Sequence, residues 1–168
     1  MKETINYYLT EIIEDVERRL STVKDVLDWD SFSTKLKSEL ISSMWETSFS
    51  HIVPNTISPK LDSEPDLYLE GQPLELKTSK TTTTWRGGEF SKRESNYLLI
   101  AWSENEYGMF DWFVCYTYLT EDDWKSSQSN NYYATTIDIG DVLKLPKTEI
   151  LKGKTQIKRI KEHVIFND

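Results

Sequence analysis

Apolar residues recur at three- and four-residue steps from the start of the chain. Ile5, Leu9, Ile12, Ile13, Val16, Leu20, Val23 and Leu27 are separated by polar and charged positions. That spacing keeps one stripe of a helix facing a core, so residues 5–27 predict an amphipathic helix. Asp28-Trp29-Asp30-Ser31 interrupts the stripe, and Asp30 or Ser31 offers an N-cap oxygen to a second helix. That helix carries Phe32, Leu36, Leu40, Met44, Trp45, Phe49 and Ile52 and ends at Pro54. Beyond it, Pro59, Pro65, Gly71 and Pro73 punctuate short segments with a period of two. Leu67 and Leu69 alternate with Asp66, Tyr68 and Glu70. After a turn at Glu70-Gly71-Gln72, Leu74 and Leu76 alternate with Glu75 and Lys77. The pattern predicts an antiparallel hairpin. Residues 78–95 are polar and read as a loop, 96–103 and 109–119 as buried strands, and 132–139 as one more strand. Thr120-Glu121-Asp122-Asp123 reads as a helix start with acid in its first turn. Helices first and then a mostly antiparallel sheet predict an α+β fold. The expectation is one domain over 1–168, helical at 1–55, with the sheet and its loops at 60–168.

Composition agrees with a folded globule: 38% of the 168 residues are hydrophobic and 12% aromatic, too much apolar surface for a disordered chain. The single cysteine, Cys115, lies in the apolar run Trp112-Phe113-Val114-Cys115-Tyr116 and is expected to be a small buried residue, not a nucleophile. No apolar stretch has membrane-spanning length and the first residues do not form a secretory signal, so a reducing, cytoplasmic compartment is expected. The net charge of −8 bears on partners. Residues 1–76 hold 7 Lys/Arg against 15 Asp/Glu, while 77–168 hold 13 of each. The run Lys144, Lys147, Lys152, Lys154, Lys158, Arg159 and Lys161 is opposed only by Glu149. It reads as a solvated tail or as a phosphate-contacting stripe. Nucleic-acid affinity follows local phosphate contacts more than total charge, so the acidity disfavours such a partner without excluding it.

The hairpin carries the candidate chemistry. Side chains two apart on a strand share a face, so Glu75 and Lys77 point one way while Leu74 and Leu76 pack the other. If Asp66 faces the same side, two carboxylates and an ammonium converge. Two hard oxygen ligands suit Mg²⁺, which takes carboxylates together with water and substrate phosphate. A metal there would polarise a phosphate and acidify a water, and Lys77 would orient or deprotonate that water and offset developing charge. The plain alternative is a surface salt bridge between Glu75 and Lys77. A second acid-x-lysine, Asp123-Trp124-Lys125, is a decoy at a helix start, where positions two apart do not share a face.

Pro65-Asp66 followed by Glu75-Leu76-Lys77 resembles the active-site motif of the PD-(D/E)XK nuclease superfamily, and the polar continuation Thr78-Ser79-Lys80 is similar to many members. The likeness covers residues 64–80 closely and the order of elements more loosely. It implies a restriction-endonuclease-like fold, with N-terminal helices packed on a mixed, mostly antiparallel central sheet. It also implies that Asp66 and Glu75 bind Mg²⁺, that the Leu76 carbonyl completes the site and that Lys77 serves the attacking water. Some members add an acid from the preceding helix. Glu46 or Glu39 would fill that place, although both fall opposite the apolar stripe, which predicts a solvated face. His51 is expected to be structural.

Small size and the lack of an accessory domain make a type II restriction endonuclease the leading expectation. The resemblance implies double-stranded DNA as substrate, a homodimer matched to a palindromic site, and a cognate DNA methyltransferase in the same system. Lys80, Trp85, Arg86, Lys92, Arg93 and Asn96, with Gly87 and Gly88, are the candidate DNA contacts in and beside the 78–95 loop, or else an ordinary polar surface. Ser126–Asn131 is a weaker candidate. A structure-specific nuclease of resolvase or repair type and a non-enzymatic acidic binding module are the competing readings. The N-terminal aromatics Tyr7, Tyr8 and Trp29 are available to a dimer interface or to the core.

Overall fold

A computed structural model describes residues 1–80, 82–87, 94–129 and 132–154. The chain divides into two compact units, Met1–Thr78 and Ser79–Asp168, so the helical stretch and the first hairpin fall together. Helices precede strands, and the class is α+β.

In the first unit, α1 (Lys2–Val26) buries Ile5, Leu9, Ile12, Ile13, Val16 and Leu20, the stripe expected from its period. It packs on α2 (Thr34–Ile52). The helix start differs from expectation: Trp29–Ser31 forms a 3₁₀ turn and Ser33 is the N-cap, its hydroxyl accepting from the Leu36 backbone N–H at 3.2 Å. Asp30 and Ser31 are taken up in the turn. Ile41, Trp45 and Phe49 form the buried stripe of α2, whereas Leu36 is exposed. Trp29 is buried beneath Lys24 and Lys37, whose ammonium groups lie 5.7 and 5.3 Å from its ring, so it is a core residue and not a surface aromatic. Tyr7 is exposed.

Three antiparallel strands complete this unit: β1 (Thr56–Ile57), β2 (Leu67–Leu69) and β3 (Gln72–Ser79). Between β2 and β3 only Glu70 and Gly71 remain, with φ of 54° and 76°. Two positive φ values in a two-residue connection match the twist of the flanking strands and fix the register. Leu67 pairs with Leu74 and Leu69 with Gln72. Leu67, Leu69, Leu74 and Leu76 are all buried, each contributing about 1.5–3 kcal/mol of hydrophobic stabilisation. A slip of one residue would turn all four toward water. Thr4 on α1 donates to the Glu70 carboxylate at 2.8 Å, and Thr78 donates to the Ser38 carbonyl of α2 at 3.2 Å, tying both ends of the hairpin to the helices.

The second unit is built on a long hairpin, β5 (Ser95–Glu104) and β6 (Phe110–Leu119), extended by β9 (Glu149–Lys152). A three-stranded antiparallel sheet of β4 (Thr84–Gly87), β7 (Lys125–Ser129) and β8 (Tyr132–Asp138) joins the same core, and the short α3 (Ile139–Val142) follows β8. Trp85, Tyr97, Leu99, Phe113, Cys115, Trp124 and Ile137 are among the side chains of that core. Burial pushes the Cys115 thiol up to about 12, which keeps it neutral and makes it a packing residue. Residues 84–87, expected within a loop, form a strand, and the first part of Ser126–Asn131, the weaker contact candidate, is a strand as well. At the expected helix start, Thr120 and Asp123 form a capping box, but over a single 3₁₀ turn, Glu121–Asp123.

Candidate active site

Asp66, Glu75, Leu76, Lys77 and Glu46 all lie in the first unit. The β2–β3 register runs Leu69↔Gln72, Tyr68↔Pro73, Leu67↔Leu74, and Asp66 immediately precedes β2. Asp66 is held there by its own side chain, because Oδ2 accepts from the Leu76 N–H at 2.8 Å. That bond ties the aspartate to the backbone between Glu75 and Lys77. Pro65, buried beside it, limits the backbone of residue 64 to extended forms and leads the chain through Asp66 into β2. Glu75 is 7% exposed, and Lys77, two residues on, is half-buried.

The acid on the helix differs from its expectation. Glu39 is exposed, as a solvated helix face requires, but Glu46 is half-buried. Its carboxyl is pushed up to about 7, first by burial and then by the negative charges of Asp66 and Glu75, against the opposing pull of Lys60 and Lys77. Glu46 therefore belongs to the acid cluster. A helical stripe records only which residues are apolar and cannot register that a polar position meets another element. The available signal was the pair of small residues one turn to either side, Ser42 and Ser50, which leave room for close approach. Lys60 is the other group the sequence reading missed. Its signal was isolation, since it is the one Lys or Arg between residues 38 and 76.

Among the described residues, no three or more His, Cys, Asp or Glu side chains are drawn into a ready-made metal cage. Mg²⁺ does not require one: it keeps several waters and is commonly held by one or two carboxylates plus substrate oxygens. Hydrogen bonding engages one oxygen of Asp66, and the mutual repulsion that raises Glu46 marks three carboxylates within electrostatic reach of one another. Oxygen donors and surplus negative charge fit a hard divalent cation.

The remaining candidates lie in the second unit. Trp85 is fully buried and donates its indole N–H to the Ile100 carbonyl at 3.0 Å, so it is a core residue and leaves the set of DNA contacts. Its neighbour Arg86 alternates outward and is exposed. Lys80 is exposed, with its ammonium 5.7 Å from the Trp102 ring. Asn96 accepts a hydrogen bond from Tyr116 at 2.6 Å through its side-chain oxygen. Gly88, Lys92 and Arg93 lie outside the described residues, as do Lys158, Arg159 and Lys161. Lys144, Lys147, Lys152 and Lys154 are exposed. The decoy is accounted for by structure: Trp124 is buried and Lys125 pairs with Asp141 at 2.7 Å.

His51 is structural, its Nδ1 lying 3.0 Å from the Arg19 guanidinium. That arginine and Arg18 bind Asp15 at 2.8 and 2.7 Å. Burial alone would raise the Asp15 carboxyl, but the hydrogen bond from Arg19, the neighbouring Ser48 and the charges of Arg19 and Arg18 together hold it below the usual carboxylate range. None of the described helices is long and apolar enough to cross a membrane. No protein-family model matches the chain, and no curated protein matches it.

Proposed function

We propose that this protein is a Mg²⁺-dependent endonuclease of double-stranded DNA, of the type II restriction class. The observation that carries the reading is the Asp66–Leu76 hydrogen bond, which ties one carboxylate to the strand segment bearing Glu75 and Lys77. Asp66 and Glu75, with the Leu76 carbonyl, would hold the ion. When bound, Mg²⁺ would supply Lewis-acid polarisation of the scissile phosphate and a more acidic water. Lys77 would orient that water toward phosphorus and offset the charge that builds on the phosphate oxygens. Glu46, protonated in part near neutrality, would lose its proton as a cation enters, since positive charge reverses the repulsion that raises it. Arg86 and Lys80 remain exposed candidates for phosphate contact. A second copy of the chain would cut the opposite strand of a palindromic site, and a methyltransferase of the same specificity would protect the host's own DNA.

The test is digestion of unmethylated plasmid and genomic DNA with Mg²⁺ or with EDTA, followed by sequencing of the ends. Discrete fragments that require Mg²⁺ are the expected result. Cutting confined to branched substrates would assign the chain to the structure-specific nucleases. No cutting across metals and sequences would leave an acidic binding module.

A further inference from the structure

The chain arrives at Asp66 from the exposed residues 60–63 and passes at once into β2, the middle strand of the three in the first unit. Tyr68 is fixed on both sides there, since it pairs with Ile57 of β1 and with Pro73 of β3. Its side chain reaches back along the chain, and its hydroxyl donates to the Glu64 carboxylate. Glu64 is held on the loop side too, where its N–H donates to the Leu61 carbonyl at 3.0 Å. Asp66 is the middle residue of the span from 64 to 68 that the side-chain bond closes. Glu64 and Tyr68 are both half-buried, so the bond sits where the chain passes from solvent into the sheet. A phenol hydroxyl on a carboxylate is a charge-assisted bond, about twice as strong as one between neutral groups.

Asp66 uses Oδ2 to accept from the Leu76 N–H at 2.8 Å, and a cation would take its other oxygen. That oxygen keeps its place only if the backbone of residues 65–67 keeps its own. We propose that the Tyr68–Glu64 hydrogen bond is a clamp that positions Asp66 for its divalent cation. Tyr68 and Glu64 are positioning residues: they act through Asp66 and touch neither the ion nor the phosphate. The inference rests on the nuclease reading and deepens it. Groups that orient a metal-ligating carboxylate typically matter about 10–100-fold in metal affinity or activity.

The test compares the full chain as wild type, Tyr68→Phe and Glu64→Gln. Phenylalanine keeps the ring and removes the donor, whereas glutamine loses the charge but keeps an oxygen that accepts from the phenol. Mn²⁺ is the probe ion, because carboxylate sites that suit Mg²⁺ also suit it. Its binding is counted from the loss of the free-ion electron paramagnetic resonance signal, and plasmid cleavage is followed in parallel over a Mg²⁺ series. Tyr68→Phe should bind Mn²⁺ about tenfold more weakly and need about tenfold more Mg²⁺ for half-maximal cleavage. Its rate should return close to the wild-type value once Mg²⁺ saturates, since every proposed ligand is still present. Glu64→Gln should stay within about threefold of wild type in both measurements, because a neutral bond replaces the charge-assisted one. Melting temperatures should fall by no more than about 4 °C, the shift for one lost hydrogen bond in a chain of this size. A Tyr68→Phe chain with wild-type Mn²⁺ affinity and Mg²⁺ requirement would overturn the clamp and leave the nuclease reading in place. So would a loss of rate that saturating Mg²⁺ does not restore, or a larger loss in Glu64→Gln, which would put Glu64 on the ion itself. A wild-type chain that binds Mn²⁺ without cutting DNA would end the nuclease reading alone, with Tyr68→Phe still deciding the clamp by its Mn²⁺ affinity. One that neither binds nor cuts would overturn both.

Discussion

Asp15 and Glu75 are the two buried acids among the described residues, 8% and 7% exposed, and they sit in different settings. Asp15 faces Arg18 and Arg19, and its charge is stabilised where it stands. Glu75 is next to Leu76, whose N–H holds Asp66, and within electrostatic reach of Glu46, whose own carboxyl is raised first by burial and then by the charges of Asp66 and Glu75. Burying a carboxylate is costly unless a partner compensates it, and like charges add to the cost. The first arrangement contributes to stability and joins two helices. In the second, burial and the nearby charges of Asp66 and Glu75 raise the Glu46 carboxyl, and perturbed carboxylates of this kind cluster at functional sites.

The comparison can be broken most sharply at Lys77. Lys77→Ala should lower DNA cleavage by about 10²–10⁴-fold, the range for losing a group that handles the attacking water. Its melting temperature should stay within about 2 °C of wild type. An equal loss of stability and activity would make Lys77 another structural ion-pair partner. Next comes a neighbouring pair in the second unit. Trp85→Ala should cost about 3–5 kcal/mol in denaturant unfolding, because a fully buried indole and its bond to Ile100 are removed. Arg86→Ala should stay within about 0.5 kcal/mol, since it removes only exposed surface.

Asp15→Asn sharpens the structural side. It should destabilise by about 2 kcal/mol at neutral pH, less than a fully buried pair because Arg18 is mostly exposed. Cleavage per folded molecule should be unchanged. A depressed carboxyl adds stability above its unfolded pKa, here 3.8, and that contribution is lost as pH falls through the folded value. Wild type and Asp15→Asn should therefore converge in acid.

Glu46→Gln should give a smaller effect than Asp15→Asn, with the opposite sign. The wild-type carboxyl titrates near 7 when folded and near 4.5 when unfolded, so the folded chain holds more protons between those values. Stability contributed by Glu46 falls as pH rises across that window. The variant's advantage should be absent below about pH 4.5 and reach about 1–2 kcal/mol above pH 7, solvent screening included. A pH-independent difference would contradict the crowding of Glu46 by Asp66 and Glu75.

Much of this was legible in the sequence because period and turn chemistry are local. The stripe from Ile5 to Leu20 and the alternation on either side of Gly71 read through to the buried faces of α1, β2 and β3. Even the pairing of Leu67 with Leu74 follows from a two-residue turn. What stayed hidden depends on tertiary partners. β4 carries a single large apolar residue, Trp85, in a threonine-rich stretch, and its burial is decided by β8 and the β5–β6 hairpin, not by its own period. Ser33 displaced Asp30 and Ser31 as the cap because Trp29 dives into the core and winds those residues into a turn. Glu46 and Lys60 gain their meaning only from groups remote in the sequence.

The most direct test of the central contrast is the Mg²⁺-dependent cleavage rate of unmethylated plasmid by Glu75→Gln beside Asp15→Asn and wild type. The nuclease reading predicts a wild-type chain that cuts in Mg²⁺ and not in EDTA, an Asp15→Asn chain that cuts at the wild-type rate when folded, and a Glu75→Gln chain that is folded and inactive. A Glu75→Gln chain that cuts like wild type would contradict it, and the acids of the hairpin would then be no more than part of the fold.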